Sequence, residues 1–447
     1  FNSMHATTKV IRYPAIQKST QMYVDGIWSK TDYLAFDYKT GGALLSRSTD
    51  IYDNKKDNCY DGSMYSLILP AHWYYQGMGQ KSEISSSYTT NALSRTNQLS
   101  ASAGSLITYG ASGSPIKNGI LQIPLAAVID AKAQTFSTGN LQSGWIDNTT
   151  LAEYNASGAA ASLNAAYRPW QQWVYKTDVT SINSNPVYSS GVYKNFATFD
   201  YTTQSQSTGW IKATEVTKYS PNGYAIEEKD VLEIPSAARY GYNFTMPILS
   251  GVNCEYGTVF FEDYENNAGG SNLYAHSGAK SASMTSNTLA LFPSVSITGR
   301  LQQSGAMARI WIKSDQELNS SLQASLGASA VMGKKVARTG DWSLYNFEFK
   351  ASDLAALSGN LALTLSYNKT GETIFVDDAR FQPLDAEISC FVYDVATLRL
   401  LARFDDQHFG MYYQYNGEGQ LVRKITETEK GLKTIQETQY NMPKVQR

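Results

Sequence analysis

The stretch VYDVATLRLLARFDDQHFGMYYQYNGEGQLVRKITETEKG, residues 392–431, alternates apolar and polar residues between turn signals, the pattern of half-buried strands in an antiparallel sheet. It also carries an internal echo. Tyr393-Asp394 leads through Thr397 to Leu400, Leu401 and Arg403, and Tyr415-Asn416 leads through Gly417 and Gly419 to Leu421, Val422 and Arg423. The unit returns at the other end of the chain, where Phe36-Asp37 leads through Thr40 and Gly41 to Leu44, Leu45 and Arg47. It reads as a hairpin. An aromatic residue anchors on the sheet, Asp or Asn bonds its own backbone to open the turn, Gly supplies positive φ, and the aliphatic pair resumes the partner strand.

Working outward, residues 1–90 alternate in the same way (KVIRYPAI, QMYVDGIWSK, SMYSLILPAHWYY), and β-like runs return over 118–215. Between them, 80–115 is dominated by Ser, Thr, Asn and Gly and reads as a long loop or irregular strands. LAEYNASGAAASLNAAYR reads as one short helix, and 219–248 as a turn-rich connector. From 250 to 385 about eight short strand candidates follow at the spacing of a β-sandwich or jelly roll. The expected fold is all-β, with YD-type antiparallel sheets plus a jelly-roll β-sandwich. The expected domains are 1–248, 249–385 and a C-terminal β-meander at 386–447.

Composition bounds the function. The 447 residues suit two to three domains, and 31 Tyr and 33 Gly against 12 Pro suit short strands joined by tight turns. A net charge of −2 with 17% charged residues gives no reason to expect nucleic acid as a partner. No apolar run reaches the ~20 residues that span a bilayer. FNSMHATTKV lacks the basic start and apolar run of a signal peptide and reads as cut from a longer chain. Cys59, Cys254 and Cys390 form no metal-binding spacing and read as buried free thiols, with one long-range bridge as the alternative.

The order of TGGALLSRS, LPAHWYYQGMG, YSPNGYAIEEKD, ARYGYN and the 392–431 stretch resembles the C-terminal portion of large secreted or surface YD-repeat (Rhs-like) proteins of Bacteroidota. That resemblance implies a β-structured polypeptide without assigned catalytic residues, placed outside the cell or at its surface. Its expected partners are other parts of a larger polypeptide or surface complex. Rhs relatives wind such repeats into a hollow shell around a toxin. With few units here, a closed shell is not expected, although the shell portion of an Rhs-like polymorphic toxin is one alternative function.

FEDYE, AHSGAKSASM, ARIWIKSD, GDWSLYNFEF and IFVDDARFQP, all within 250–385, resemble carbohydrate-binding-module-like jelly rolls. Such modules hold a structural calcium between acids of their first and last strands, which implies Glu262, Asp263 and Asp377 as its oxygen ligands. Asp378 is less favoured, because alternation points adjacent strand residues to opposite faces. The bland alternative is that these acids solvate strand ends. A glycan would use exposed aromatic platforms, for which Trp311, Trp342, Tyr345 and Tyr367 are the candidates; the apolar alternation around the two Trp favours core packing for them instead. A glycan-binding accessory module is therefore a second alternative to a non-enzymatic scaffold or adhesin.

Nucleophile motifs are missing. There is no GxSxG or HExxH, and His5, His72, His276 and His408 are scattered without a fixed partner in sequence. GMGQKS at 77–82 lacks the third Gly of a phosphate loop. The acidic clusters Glu227, Glu228 and Asp230, and Asp405 and Asp406, read as turn and surface residues rather than paired glycosidase carboxylates.

Overall fold

The computed structural model describes residues 16–38, 40–49, 60–75, 101–111, 116–117, 120–121, 128–137, 167–176, 191–204, 209–220, 223–266, 270–315, 318, 322–368, 373–428 and 431–440. The architecture is all-β, as alternation and composition predict. The chain divides into two compact units, Phe1–Glu215 and Val216–Arg447.

In the first unit the strands Ser19–Val24, Ile27–Phe36, Ala43–Thr49, Tyr60–Pro70, Ser102–Ala111, Val128–Ser137, Arg168–Tyr175 and Trp210–Tyr219 lie side by side in chain order, each antiparallel to the last. One face buries Leu45, Tyr65, Leu67, Leu106, Ala131, Ala133 and Trp173. Over it packs the irregular aromatic segment containing Tyr193, Phe196, Phe199 and Tyr201; Tyr175 meets Trp210 edge-on at 5.5 Å. Of the stretch 80–115, expected as a long loop or irregular strands, the described part is the strand Ser102–Ala111. It is a central strand, because its small residues fit against the neighbouring backbone: a Cβ on Gly104 would lie 2.3 Å from the Lys132 carbonyl. The expected helix at 151–166, Cys59 and GMGQKS lie outside the described residues.

In the second unit the strands Ala225–Lys229, Pro235–Gly241 and Met246–Val252 form antiparallel hairpins where a connector was expected. Gly223 sits in a turn and Pro235, Gly241 and Pro247 at or next to strand ends, where they punctuate strands without excluding them. Met246–Val252 pairs directly with Glu387–Tyr393, Leu249 opposite Cys390, and the sheet continues through Leu400–Phe404, Gly410–Tyr415, Leu421–Thr428 and Gly431–Glu437.

Between those two paired strands sits a complete β-sandwich. One sheet contains Phe260–Glu262, Ile374–Pro383, Ala306–Lys313, Trp342–Phe349 and Lys334–Thr339 in that order, with Ala282–Met284 also on Ile374–Pro383. The other contains Thr288–Ile297, Gly359–Ser366, Gln323–Leu326 and Ser329–Met332. Ala306, Ala308, Ile310 and Ile312 face the sandwich core with Phe347, Phe349, Leu363 and Leu365. The opposite face of the larger sheet, with Trp311, Trp342, Leu344 and Phe375, packs on Leu249, Ile388, Cys390, Val392 and Phe404 of the hairpin sheet. The larger sheet is thus the middle of three layers. Ile374–Pro383 is buried at every position in consequence.

Candidate functional site

Interlayer packing brings together residues that the sequence keeps more than a hundred positions apart. The loop holding His276 and Ser277 lies against a β-bulge in Ile374–Pro383, where Asp378 has φ +45 and the pairing register with Ala306–Lys313 shifts. Through the bulge both acids turn to the same dipeptide. The Asp377 carboxylate accepts the His276 N–H at 2.7 Å and the Ser277 N–H at 3.3 Å; Asp378 accepts the Ser277 hydroxyl at 2.7 Å and lies 2.8 Å from His276 Nδ1. The expectation that alternation separates Asp377 from Asp378 fails, because one residue in left-handed geometry breaks the two-residue period.

His276 reaches across the layer boundary. Its Nε2 lies 3.2 Å from Glu427 Oε1 and 3.3 Å from the Tyr412 hydroxyl, and its ring stacks on Trp311 with centroids 4.0 Å apart and 16° between planes. Burial alone would lower the imidazole pKa, but hydrogen bonds and charge from Asp378 and Glu427 outweigh it and hold the group above its ordinary value. As an imidazolium, His276 donates from both nitrogens and ties a sandwich loop to a strand of the repeat hairpins. No sequence signal marks this link, since its partners lie 102 and 151 positions away.

A second contact works by neutral groups. The turn after Leu400–Phe404 inserts His408, whose Nε2–H donates to the Asp378 carbonyl, while Trp311 Nε1–H donates to the His408 carbonyl at 3.2 Å. Burial and the Arg380 charge push this imidazole well below its ordinary pKa. The fully buried Arg380 donates to the Asp405 carbonyl at 2.7 Å and also to that of Asp406. Asp405 and Asp406 themselves accept the N–H groups of Phe409 and Ile388, so they are turn residues as expected. Asp230 is likewise a turn residue, accepting Leu232 and Ile234 N–H. Glu227 departs from the surface reading: it is buried and takes bonds from Lys218 Nζ, Thr217 Oγ1 and the Tyr256 N–H.

Glu262, Asp263 and Asp377 do lie in this region, with Asp378 and Glu265, and these acids act on one another electrostatically. Burial, with Glu262 nearby, pushes Asp263 up to about 7, and burial also raises Glu262, Glu265, Asp377 and Asp378. The fit to calcium is poor as the side chains stand. Asp263 spends its oxygens on the Tyr242 hydroxyl and the Glu265 N–H, and Asp377 spends both of its own on N–H groups of His276, Ser277 and Asp378. Among the described residues no three His, Cys, Asp or Glu side chains form a group able to hold a metal ion. Tyr264 leaves a buried hydroxyl without a partner near Glu262, but a phenol is a poor ligand for a hard cation.

All four aromatic candidates lie in the core, the packing favoured by alternation for the two Trp. Trp311 is 0% exposed, Tyr345 3%, and Trp342 and Tyr367 8% each. Tyr345 and Tyr367 belong to the sandwich core and the two Trp to the interlayer core, so none offers an open ring face. A sheet covered on both sides has no platform side to spare. Cys254 and Cys390 are free and buried, as expected.

No protein-family model and no curated protein matches this chain. Among solved structures, the crystal structure of TcdB2-TccC3 aligns with a TM-score of 0.21 at 9% identity, over 92% of this chain and 23% of that one. The Photorhabdus luminescens Tc holotoxin pore carrying the TccC3-D651A mutation aligns with the same score and identity, over 90% and 25%. The chain therefore spans about a quarter of the length of the structures it matches. No helix among the described residues is long and apolar enough to cross a membrane.

Proposed function

We propose that this chain is a non-enzymatic scaffold segment of a large extracellular or cell-surface YD-repeat polypeptide, built to display a β-sandwich fixed between two strands of the repeat sheet. One observation supports this reading above others. The sandwich grows out of neighbouring, directly paired strands, Met246–Val252 and Glu387–Tyr393, and is tied back to the repeat hairpins through His276, Trp311 and Arg380. His276, Ser277, Asp377 and Asp378 are bonded to one another, the pattern of a joint, although the Tyr264 hydroxyl, His408 Nδ1 and Arg380 Nε are buried without partners. The glycan-binding alternative loses its four aromatic candidates to the core. Surface proteolysis of intact cells, with mass analysis of the native polypeptide, tests the proposal: shedding of fragments from a protein far larger than 49.3 kDa supports it. Confinement to the cytosol, or turnover abolished by one carboxylate substitution, overturns it.

A further inference from the structure

The first unit holds a cavity of about 190 Å³ between its sheet and the irregular segment that packs over it. Its lining takes Leu67 and Leu69 from Tyr60–Pro70, Leu106 from Ser102–Ala111, Trp210 from Trp210–Tyr219, and Phe199 and Tyr201 from the overlying segment. The space follows from residue size. Leu67 stands directly opposite Leu106, but Leu69 stands opposite Gly104, which has no side chain to fill the room beside it. Tyr201 enters that room. Its hydroxyl, 2.7 Å from where a Cβ on Gly104 would lie, donates to the Ala103 carbonyl at 2.6 Å.

The residues that border the cavity select its occupant. With the Tyr201 hydroxyl spent on Ala103 and Trp210 Nε1–H donating to the Ala197 carbonyl at 2.9 Å, both rings offer carbon rather than hydrogen-bonding atoms. Phe199 meets Trp210 edge-on at 5.3 Å and Tyr201 edge-on at 5.0 Å, and Tyr74, also at the cavity, stacks on Tyr201 at 4.0 Å. A further ring placed among them extends the same set of edge and face contacts. Charge plays no part: Lys132, the one charged residue of the lining, has Asp130 3.8 Å away, and the exposed Thr198 marks the mouth. Water gains little from such walls, whereas an apolar cavity of about 150 Å³ is enough to hold benzene.

We propose that this cavity binds a free, uncharged aromatic molecule of one ring or two fused rings, held between Leu67, Leu69 and Leu106 of the sheet and Phe199 and Tyr201 of the segment above. The occupant would fasten that segment to the sheet, beside the bond from Tyr201 to Ala103. The site belongs to the first unit and is independent of the scaffold reading, which rests on the second.

The test titrates the full chain with toluene and indole, with cyclohexane, benzoate and N-acetylphenylalanine amide as comparisons, and reads calorimetric heat and the thermal midpoint. Toluene and indole should bind saturably at one site per chain and raise the midpoint with concentration, as ligands of the folded state do. Cyclohexane should bind more weakly for want of a ring face, benzoate because its charge would be buried unpaired, and the amide because its main-chain groups would lose water. Thr198→Trp, at an exposed position, should plug the mouth and weaken toluene binding by about tenfold or more, while Thr198→Ala should retain it. Leu69→Phe, which fills the cavity from its wall, should weaken it likewise. No saturable binding of toluene or indole up to their solubility, affinity unchanged in both filled variants, or any comparison compound bound as tightly as toluene would each overturn the proposal.

Discussion

His276 sits where three kinds of force meet: aromatic stacking on Trp311, bonds to two carboxylates, and the cost of burying charge. Removing one member of such a set leaves its partners buried and uncompensated, so His276→Ala should cost about 3–5 kcal/mol in denaturant unfolding. The sign with pH follows from the raised folded pKa. Its contribution is fully present below the unfolded value of about 6.5 and is lost as pH rises through the folded value. The stability gap between the native chain and His276→Ala should therefore narrow as pH is raised. Asp263 acts in the same direction for a different reason. Burial raises its folded pKa to about 7 from 3.8, so the folded state holds a proton that the unfolded state has released across that interval, and stability falls as pH rises through it. Asp263→Asn should leave stability at pH 4 nearly unchanged and raise it at pH 8 by a few kcal/mol, roughly the linkage value of three pH units. If instead the native chain at pH 8 melts several degrees higher with added calcium and lower with EDTA, the acids hold a metal after all.

The repeat hairpins obey one local rule. Asp37 accepts the Thr40 N–H and hydroxyl, Asp394 accepts the N–H of Ala396 and Thr397 with the Thr397 hydroxyl, and Asn416 accepts the N–H of Glu418 and Gln420. Three further turns repeat it at Ser220, Asp230 and Asp405, each closed by a main-chain bond to the residue four positions on. A residue of positive φ follows three or four positions after the acceptor: Gly41, Gly223, Glu233, Leu398, His408 and Gly419. Glycine was the sequence signal, so the turns using Glu233, Leu398 or His408 carried a weaker one. Leu398, at φ +55, bears the left-handed strain that Gly would avoid. Leu398→Gly should stabilise by up to about 1 kcal/mol, and Asp394→Ala should destabilise by about 1 kcal/mol, both read from denaturation midpoints.

On the scale of the whole chain, the sandwich is both passenger and cover. Its larger sheet supplies the face on which Leu249, Ile388, Cys390, Val392 and Phe404 are buried. Replacing 254–385 by a short turn would join strands that are already paired, yet leave those side chains in water. The expected product binds a hydrophobic-surface dye and loses cooperative unfolding of the C-terminal hairpins. A shortened chain that melts as sharply as the native one would show that the repeat sheet needs no cover.

Sequence by itself determined the all-β class, the hairpin unit with its Asp or Asn acceptor, and the run of strands in 250–385, because alternation, turn chemistry and glycine placement act over a few residues. It also favoured the core for Trp311 and Trp342. Tertiary structure alone decided that the sandwich sheet is covered on both faces, that a bulge swings Asp378 beside Asp377, and that His276 meets Glu427 from 151 positions away. Those outcomes depend on which strands become neighbours across long loops, and no local period records that choice.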